Sequence, residues 1–399
     1  MIKRLTSRII YNSRGQKTIE AEIETDKGIS RGSAPAGASA GIHEVPGFPQ
    51  SPEEAVRIIG SEIAPAIRGL SELETEVIDR KLKDIDGTSD FSRLGGSGAI
   101  AISFAVLKSA AVSSGRPVWE FLNPSAKKFP YPLGDVVGGG AHGGGFDIQE
   151  FLMIPRGAKN IFEAVGTNAL IHNKIKENLA KEDPHFLYGK NDEGAWTTSL
   201  PIEKVFDVMI RSKDEYDSDA MIGMDIAASE LWDKKKQRYI YKKQGLELST
   251  GEQIDYILGL VSTYPILFVE DPLHEDDFDG FSELNSKNKA MTCGDDLTTT
   301  NPDRLTEAIK KGSIDSIIVK PNQIGTISDT LKVFEICKKN GIKPVLSHRS
   351  GETTEEIIAH LAHSAEAPLI KTGVVCGERI AKLNELIRIW RDGSEMVRI

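Results

Sequence analysis

Apolar and polar positions alternate over residues 5–11 and again over 18–25, on either side of Asn12-Ser13-Arg14-Gly15. That pattern predicts a strand, a turn and a strand. A glycine, alanine and serine stretch follows from 32 to 41, and its side chains look too small to pack a core. Ser51-Pro52-Glu53-Glu54 reads as a helix start, with serine at the N-cap, proline in the first turn and Glu54 closing a capping box. Residues 95–115 read as a second, largely buried helix. Residues 124–132 hold three prolines and two lysines and read as a link between domains.

Beyond the link, continuous apolar runs replace alternating ones, as buried parallel strands require. Each run stops at a charged or polar residue. Met221-Ile222-Gly223-Met224 stops at Asp225, and Ile266-Leu267-Phe268-Val269 at Glu270. The run 290–294 stops at Asp295, Ser316-Ile317-Ile318-Val319 at Lys320, Pro344-Val345-Leu346 at Ser347-His348-Arg349, and Pro368-Leu369-Ile370 at Lys371. The markers Glu270, Asp295, Lys320, His348 and Lys371 are 25, 25, 28 and 23 residues apart, room for one strand, one helix and two loops. Asn301-Pro302 supplies one helix start, and Thr353 with Glu356 a capping box for another. Successive βα units with functional groups at strand ends describe a β/α barrel. The predicted fold is α/β, with the barrel over residues 130–399 and a smaller α+β domain over 1–125. Residues 147–155 follow a glycine-rich run closely, which predicts a hairpin in place of the first βα repeat.

Length supports two domains, because a barrel takes roughly 250 residues and the chain has 399. No apolar run approaches the roughly 18 to 20 residues of a membrane helix. The first residues lead into no signal-peptide segment. The expected compartment is the cytoplasm. Cys293, Cys337 and Cys376 are widely spaced, which argues against a disulfide framework or a cysteine zinc site. A net charge of −10 disfavours nucleic acid as a partner. It still permits a phosphorylated substrate where a site concentrates cations.

Asp225, Glu270 and Asp295 end three consecutive predicted strands, which lie about 4.8 Å apart. Three such acids do not all stay ionised without a cation, and an all-oxygen donor set suits Mg²⁺. A single acid there more often caps a helix; three in register do not. Lys320 and Lys371 each end a strand, where a lysine is costly unless it is used. Either can be a general base, half of a structural ion pair, or the Schiff-base lysine of an aldolase-type barrel. Ser347-His348-Arg349-Ser350 offers a phosphate clamp, or simply a helix-capping loop. Position alone leaves Gln149-Glu150 and Asp192-Glu193-Gly194 as solvated acids. The glycine-rich run 138–145 around His142 is no dinucleotide fingerprint and fits either a lid or a plain loop.

Together these motifs resemble the enolase family over nearly the whole chain. Asn12-Ser13-Arg14-Gly15 with Thr18 and Glu20, and 35–44 from Pro35 to Glu44, match its opening hairpin and first mobile loop. Gln149-Glu150-Phe151, Asp192-Glu193-Gly194, Gly223-Met224-Asp225, Glu270-Asp271-Pro272 and Asp295-Asp296-Leu297-Thr298 follow in family order. Lys320-Pro321-Asn322-Gln323-Ile324-Gly325, Ser347 to Thr353, and Ile370-Lys371-Thr372-Gly373 complete the series.

The resemblance implies a lyase that reversibly dehydrates 2-phosphoglycerate to phosphoenolpyruvate. Lys320 would take the C2 proton. Asp225, Glu270 and Asp295 would hold one Mg²⁺, with a second arriving as the loop carrying Ser39 closes. Lys371 would add positive charge at the substrate carboxylate. Glu193, supported by Glu150, would protonate the departing hydroxyl. Arg349 and Ser350 would hold the phosphate, with Gln149, His142 and His348 completing the shell. A homodimer, alone or in a larger ring, is also implied, with the hairpin facing the partner's barrel and Glu20 pairing with Arg388 across the interface. The chain departs from the family at Ala36 and Ala40 in the mobile loop, at Gly138, where asparagine is common, at Ala195-Trp196, and at Gly377. An enolase-like lyase for a related phosphorylated hydroxy acid, and a non-catalytic scaffold on the same fold, are the competing readings.

Overall fold

In the computed structural model, which describes residues 1–37, 41–140 and 146–399, the alternating runs form an antiparallel hairpin, Arg4–Tyr11 with Lys17–Thr25. Asn12 Oδ1 accepts the N–H groups of Arg14 and Gln16 and so closes the turn. A third strand, Gly28–Ser33, pairs with the second. Its end corrects the expectation for the small-residue stretch. Ala34 is fully buried, and a Cβ on Gly32 would stand 2.5 Å from the carbonyl oxygen of Ala101. Small side chains let this sheet lie directly on the helix Gly96–Ser114.

That helix also corrects the membrane expectation. Its 19 residues are long and apolar enough to cross a bilayer, but 83% of its apolar window is buried within the protein. It is a core helix between the sheet and the barrel. The Ser51 start holds only in part. Ser51 accepts the N–H of Glu54, while the Glu54 carboxylate turns to Arg57, so half the capping box forms. Asn301 caps its helix as expected. Thr353 does not begin one. The helix Ile357–Ser364 starts after Glu356 without a side-chain cap. The Thr353 hydroxyl instead meets the Ser33 hydroxyl at 2.7 Å and ties the barrel to the first sheet.

The eight barrel strands, in chain order, are Tyr131–Gly138, Glu150–Ile154, Met221–Asp225, Ile266–Glu270, Met291–Gly294, Ser316–Val319, Lys343–Ser347 and Leu369–Gly373. They close into one sheet in that order. The second strand runs antiparallel to both neighbours, and the other pairs are parallel. The first two strands are thus a hairpin, as the short spacing implied. Leu133, Leu152, Phe268, Cys293, Ile318, Val345 and Leu369 fill the barrel interior. A larger apolar layer joins the barrel wall to its helices and to the first sheet. All three cysteines are free, with Cys293 and Cys337 buried.

Candidate active site

Strand register builds the centre of the site. Glu150 stands opposite Asp225, and Asp225 opposite Glu270. Because the second strand is reversed, its first residue lies at the barrel end where the parallel strands finish. That is why an acid ahead of an apolar run joins acids that follow such runs. Lys371 reaches this row from the eighth strand. It is not at the strand's end, as expected, but inside it, since pairing continues to Gly373. Its Nζ lies 2.8 Å from carboxylate oxygens of Asp225, Glu270 and Glu150. Gln149 donates to Asp225 at 3.2 Å.

Electrostatics follow from burial. Burial and the charge of Asp225 push the Glu270 carboxyl well above its ordinary value, even beside Lys371. Burial alone would depress Lys371, but Asp225, Glu150 and Glu270 outweigh it and hold the ammonium charged. Asp295 and Lys320 form a second close pair. Burial acts against both charges, yet the pairing prevails: Asp295 lies below its usual value and Lys320 above. Asp271, at φ 41°, turns the chain after Glu270. It accepts the N–H groups of Asp295 and Asp296 at 2.9 and 2.8 Å. Burial and Asp295 raise Asp296 to about 8.

The carboxylates offer only hard oxygen donors, and three of them converge on a single cation, the Lys371 ammonium. This donor set fits Mg²⁺. Two tighter acid groups lie nearby: Asp135, Glu150 and Glu193, and a set in which the expected ligand Asp295 joins Asp271 and Asp296.

The anion-binding side is occupied by the chain's own groups. Arg349 is buried and pairs with Glu44 at 2.8 and 3.1 Å. Gln323 donates to both Glu44 and Asp295. Ser350 is buried beside it in the same pocket. His348 is buried too. Its Nδ1 accepts from Arg379 at 2.9 Å, which leaves the neutral ring's N–H on Nε2, 3.0 Å from a Glu193 carboxylate oxygen. Burial lowers its pKa to about 4.

The loop carrying Glu193 is fixed from several sides. Asn191 Oδ1 accepts the N–H groups of Glu193 and Ala195. His172 donates to the Gly194 carbonyl, and Trp196 donates to the His172 carbonyl. A Cβ on Gly138 would stand 2.1 Å from Asn191 Nδ2. Asn191 fills the space that a larger residue at 138 would need. Ala195 and Trp196, which break the family pattern, are buried as packing for this loop.

The structure therefore brings Gln149, Glu150, Glu193, Asp225, Glu270, Asp295, Lys320, His348, Arg349, Ser350 and Lys371 to one end of the barrel. Ser39 and His142 lie outside the described residues. Sequence reasoning gave no role to Glu44, Asp135, Asn191, Gln323 or Arg379, although Glu44 and Gln323 lie within the motifs that carry the resemblance. Arg379 is completely buried and donates to the Ser350 carbonyl as well as to His348. A charged residue on an apolar helix face, next to a motif loop, was its available signal.

Comparison with known proteins gives the same family along the whole chain. Residues 2–122 match the model "Enolase, N-terminal domain", and residues 126–397 match "Enolase, C-terminal TIM barrel domain". An enolase of Archaeoglobus fulgidus is 46% identical over 389 residues, covering 96% of this chain and 95% of the relative. An enolase of Methanosphaera stadtmanae is 44% identical over 399 residues, covering 98% and 96%. One of Methanothermobacter thermautotrophicus is 44% identical over 402 aligned residues, covering 98% and 97%.

Proposed function

The chain belongs to the enolase family, and we propose that it carries out that family's reaction, the reversible dehydration of 2-phosphoglycerate to phosphoenolpyruvate, with Lys320 as base and Glu193 as acid. One observation carries the assignment. Lys320 follows the sixth barrel strand, and Glu193 lies in the segment between the second and third. Both line one pocket, and the Glu193 loop packs against the first strand through Asn191 and Asp135, so base and acid come from different strands. Loss of a C2 proton and a C3 hydroxyl calls for a base at C2 and a separate acid at the leaving oxygen.

The C2–H bond breaks toward Lys320 Nζ. The electron pair moves into the C2–C3 bond, and the C3–O bond breaks. The leaving hydroxyl takes a proton from Glu193 and departs as water. Arg349 and Ser350 hold the phosphate once Glu44 gives way. Lys371 faces the substrate carboxylate. Gln149, His348 and His142 complete the shell. Asp225, Glu270 and Asp295 are the ligands for one Mg²⁺, and Ser39 serves a second. Bound Mg²⁺ supplies positive charge where charge from C2 collects, and a counter-charge for Asp295 in place of Lys320.

The same reading places the protein in the cytoplasm as a homodimer. Within one chain Glu20 bonds to Arg8 and Arg388 to Glu385, so the Glu20–Arg388 contact between subunits requires an exchange of partners. Absorbance growth from phosphoenolpyruvate, with 2-phosphoglycerate and Mg²⁺, tests the reaction. Wild type should require Mg²⁺, and Lys320→Ala should lose about 10²-fold to 10⁴-fold or more. A folded, Mg²⁺-binding wild type without activity would overturn the substrate assignment and direct the search to another phosphorylated hydroxy acid.

A further inference from the structure

Two loops distant in the chain form part of the pocket wall. Residues 347–353 carry Arg349 and Ser350, and residues 191–196 carry Glu193. The turn 12–15 at the tip of the N-terminal hairpin touches both, and the mechanism above gives it no part. The Ser13 backbone N–H donates to the Glu352 carbonyl at 2.7 Å. Ser13 Oγ donates to the Ser350 carbonyl and accepts the Glu352 N–H, each at 3.1 Å. Turn and loop lie so close that a Cβ on Gly351 would stand 2.5 Å from Asn12 Nδ2. The next residue, Arg14, reaches the other loop, with Nε 3.3 Å from Asp192 Oδ2.

Ser350 and Asp192 are each held from a second side by one buried group. Arg379 donates to the Ser350 carbonyl at 2.8 Å and to the Asp192 carbonyl at 3.2 Å. The phosphate-side loop is fixed to the barrel as well, since the Glu352 carboxylate accepts the Arg349 N–H and pairs with Lys382. The Arg14 and Asp192 side chains are 31% and 25% exposed, and an ion pair so open to water adds little to stability. What it can set is position. Asp192 precedes Glu193 directly, and misplacing a reacting group by about 1 Å can cost up to about 10²-fold in rate. In 2-phosphoglycerate the phosphate sits on the C2 oxygen and the leaving hydroxyl on C3. The spacing of the two loops therefore decides how well the acid meets that hydroxyl once the phosphate is held.

We propose that Arg14 is a positioning residue for the acid step: from the hairpin tip it holds Asp192, and with it the Glu193 loop, in register with the phosphate-side loop that Ser13 grips. The N-terminal domain thereby sets the distance between phosphate and leaving hydroxyl. The proposal rests on Glu193 being the acid and on Arg349 and Ser350 holding the phosphate.

Arg14→Ala in the Mg²⁺-loaded protein tests it. Dehydration at saturating 2-phosphoglycerate should fall about fivefold or more. Exchange of the C2 hydrogen in D₂O, which needs the base and not the acid, should keep its wild-type rate. KM should change by less than about twofold, and the melting temperature by only about 1 °C. Arg14→Lys, which keeps the charge, should recover most of the rate. Ser13→Ala should do the reverse and raise KM by about fivefold, the worth of a hydrogen bond, with a smaller change in kcat. Exchange of the Glu193 and Ala195 amides should speed up in Arg14→Ala. Arg14→Ala combined with Asp192→Ala should cost no more than Asp192→Ala alone. Unchanged dehydration, unchanged amide exchange, equal losses in dehydration and C2 exchange, or losses that add across the pair would each overturn the proposal. Glu193→Gln separates it from the reading beneath it. Dehydration that survives that change removes Glu193 as the acid, while amide exchange still reports whether Arg14 holds the loop.

Discussion

Replacing Lys371 with methionine keeps the side chain's apolar stem and removes the charge on which Glu150, Asp225 and Glu270 converge. All three acids are at least nine-tenths buried. Leaving buried charge without its partner costs about 3–5 kcal/mol. Unfolding entropy of about 2.1 cal/mol/K per residue gives roughly 0.8 kcal/mol/K for 399 residues. The melting temperature without Mg²⁺ should therefore drop by about 4–6 °C. The sign of the pH dependence follows from Glu270. Its carboxyl lies above its unfolded value, so the folded state binds more protons, and stability falls as pH rises from the ordinary carboxylate range toward the raised value. Without the ammonium, which lowers it, the Glu270 carboxyl moves further up. The deficit of Lys371→Met should be small at pH 5 and largest at pH 8, and saturating Mg²⁺ should shrink it. Calorimetry of both proteins in EDTA at the two pH values measures this. Equal melting temperatures at pH 8, or a deficit that does not change with pH, would refute the argument that Lys371 neutralises this acid row.

Glu44→Gln should release Arg349 and lower KM for 2-phosphoglycerate by up to about tenfold, the worth of one charge-assisted bond, with kcat little changed; steady-state kinetics showing a higher KM would make Glu44 an aid to binding instead. Nitrogen NMR of His348 should show the neutral Nε2–H form from pH 8 down to about 5, given its pKa of about 4, and a titration near 6.5 would contradict the arrangement with Arg379. Titration calorimetry in EDTA should detect little binding of 2-phosphoglycerate, with affinity appearing on addition of Mg²⁺.

The barrel was legible because buried parallel strands leave a strong trace: apolar runs, each ending in a usable side chain, at nearly constant spacing. The helix starts were less so. Glu54 and Thr353 each had a local motif, but Arg57, one turn on, and the distant Ser33 offered their side chains better partners, and a motif cannot show competition from residues outside it. The small-residue stretch was misread for a related reason. Gly32 and Ala34 pack a core by letting backbone approach backbone, which no hydrophobicity pattern records. Glu150 and Glu193 looked like ordinary loop acids until the resemblance gave them roles. One strand reversal carries Glu150 into the acid row, and long-range bonds from Asn191, His172 and Arg379 hold Glu193 or its loop.

The balance of charge in the pocket explains why these partners could not be read from local sequence. Among the described residues eight acids line it, including Glu44, Glu230, Asp271 and Asp296, against three cations, Lys320, Arg349 and Lys371. Each cation is already paired: Lys320 with Asp295, Arg349 with Glu44, Lys371 with the acid row. A phosphorylated carboxylate entering such a pocket meets, among the described residues, net negative charge and no free positive group. It binds well only if something else satisfies Asp225, Glu270 and Asp295 and frees the lysines to face substrate. The proposed mechanism thus couples metal and substrate through the lysines. The pairing that stabilises the chain without metal is the pairing that must break for the chemistry to proceed. On the proposed mechanism the lysines at the barrel mouth are both structural counter-ions and reactive groups, so the ion-pair and general-base readings of Lys320 and Lys371 describe two states of the same residues.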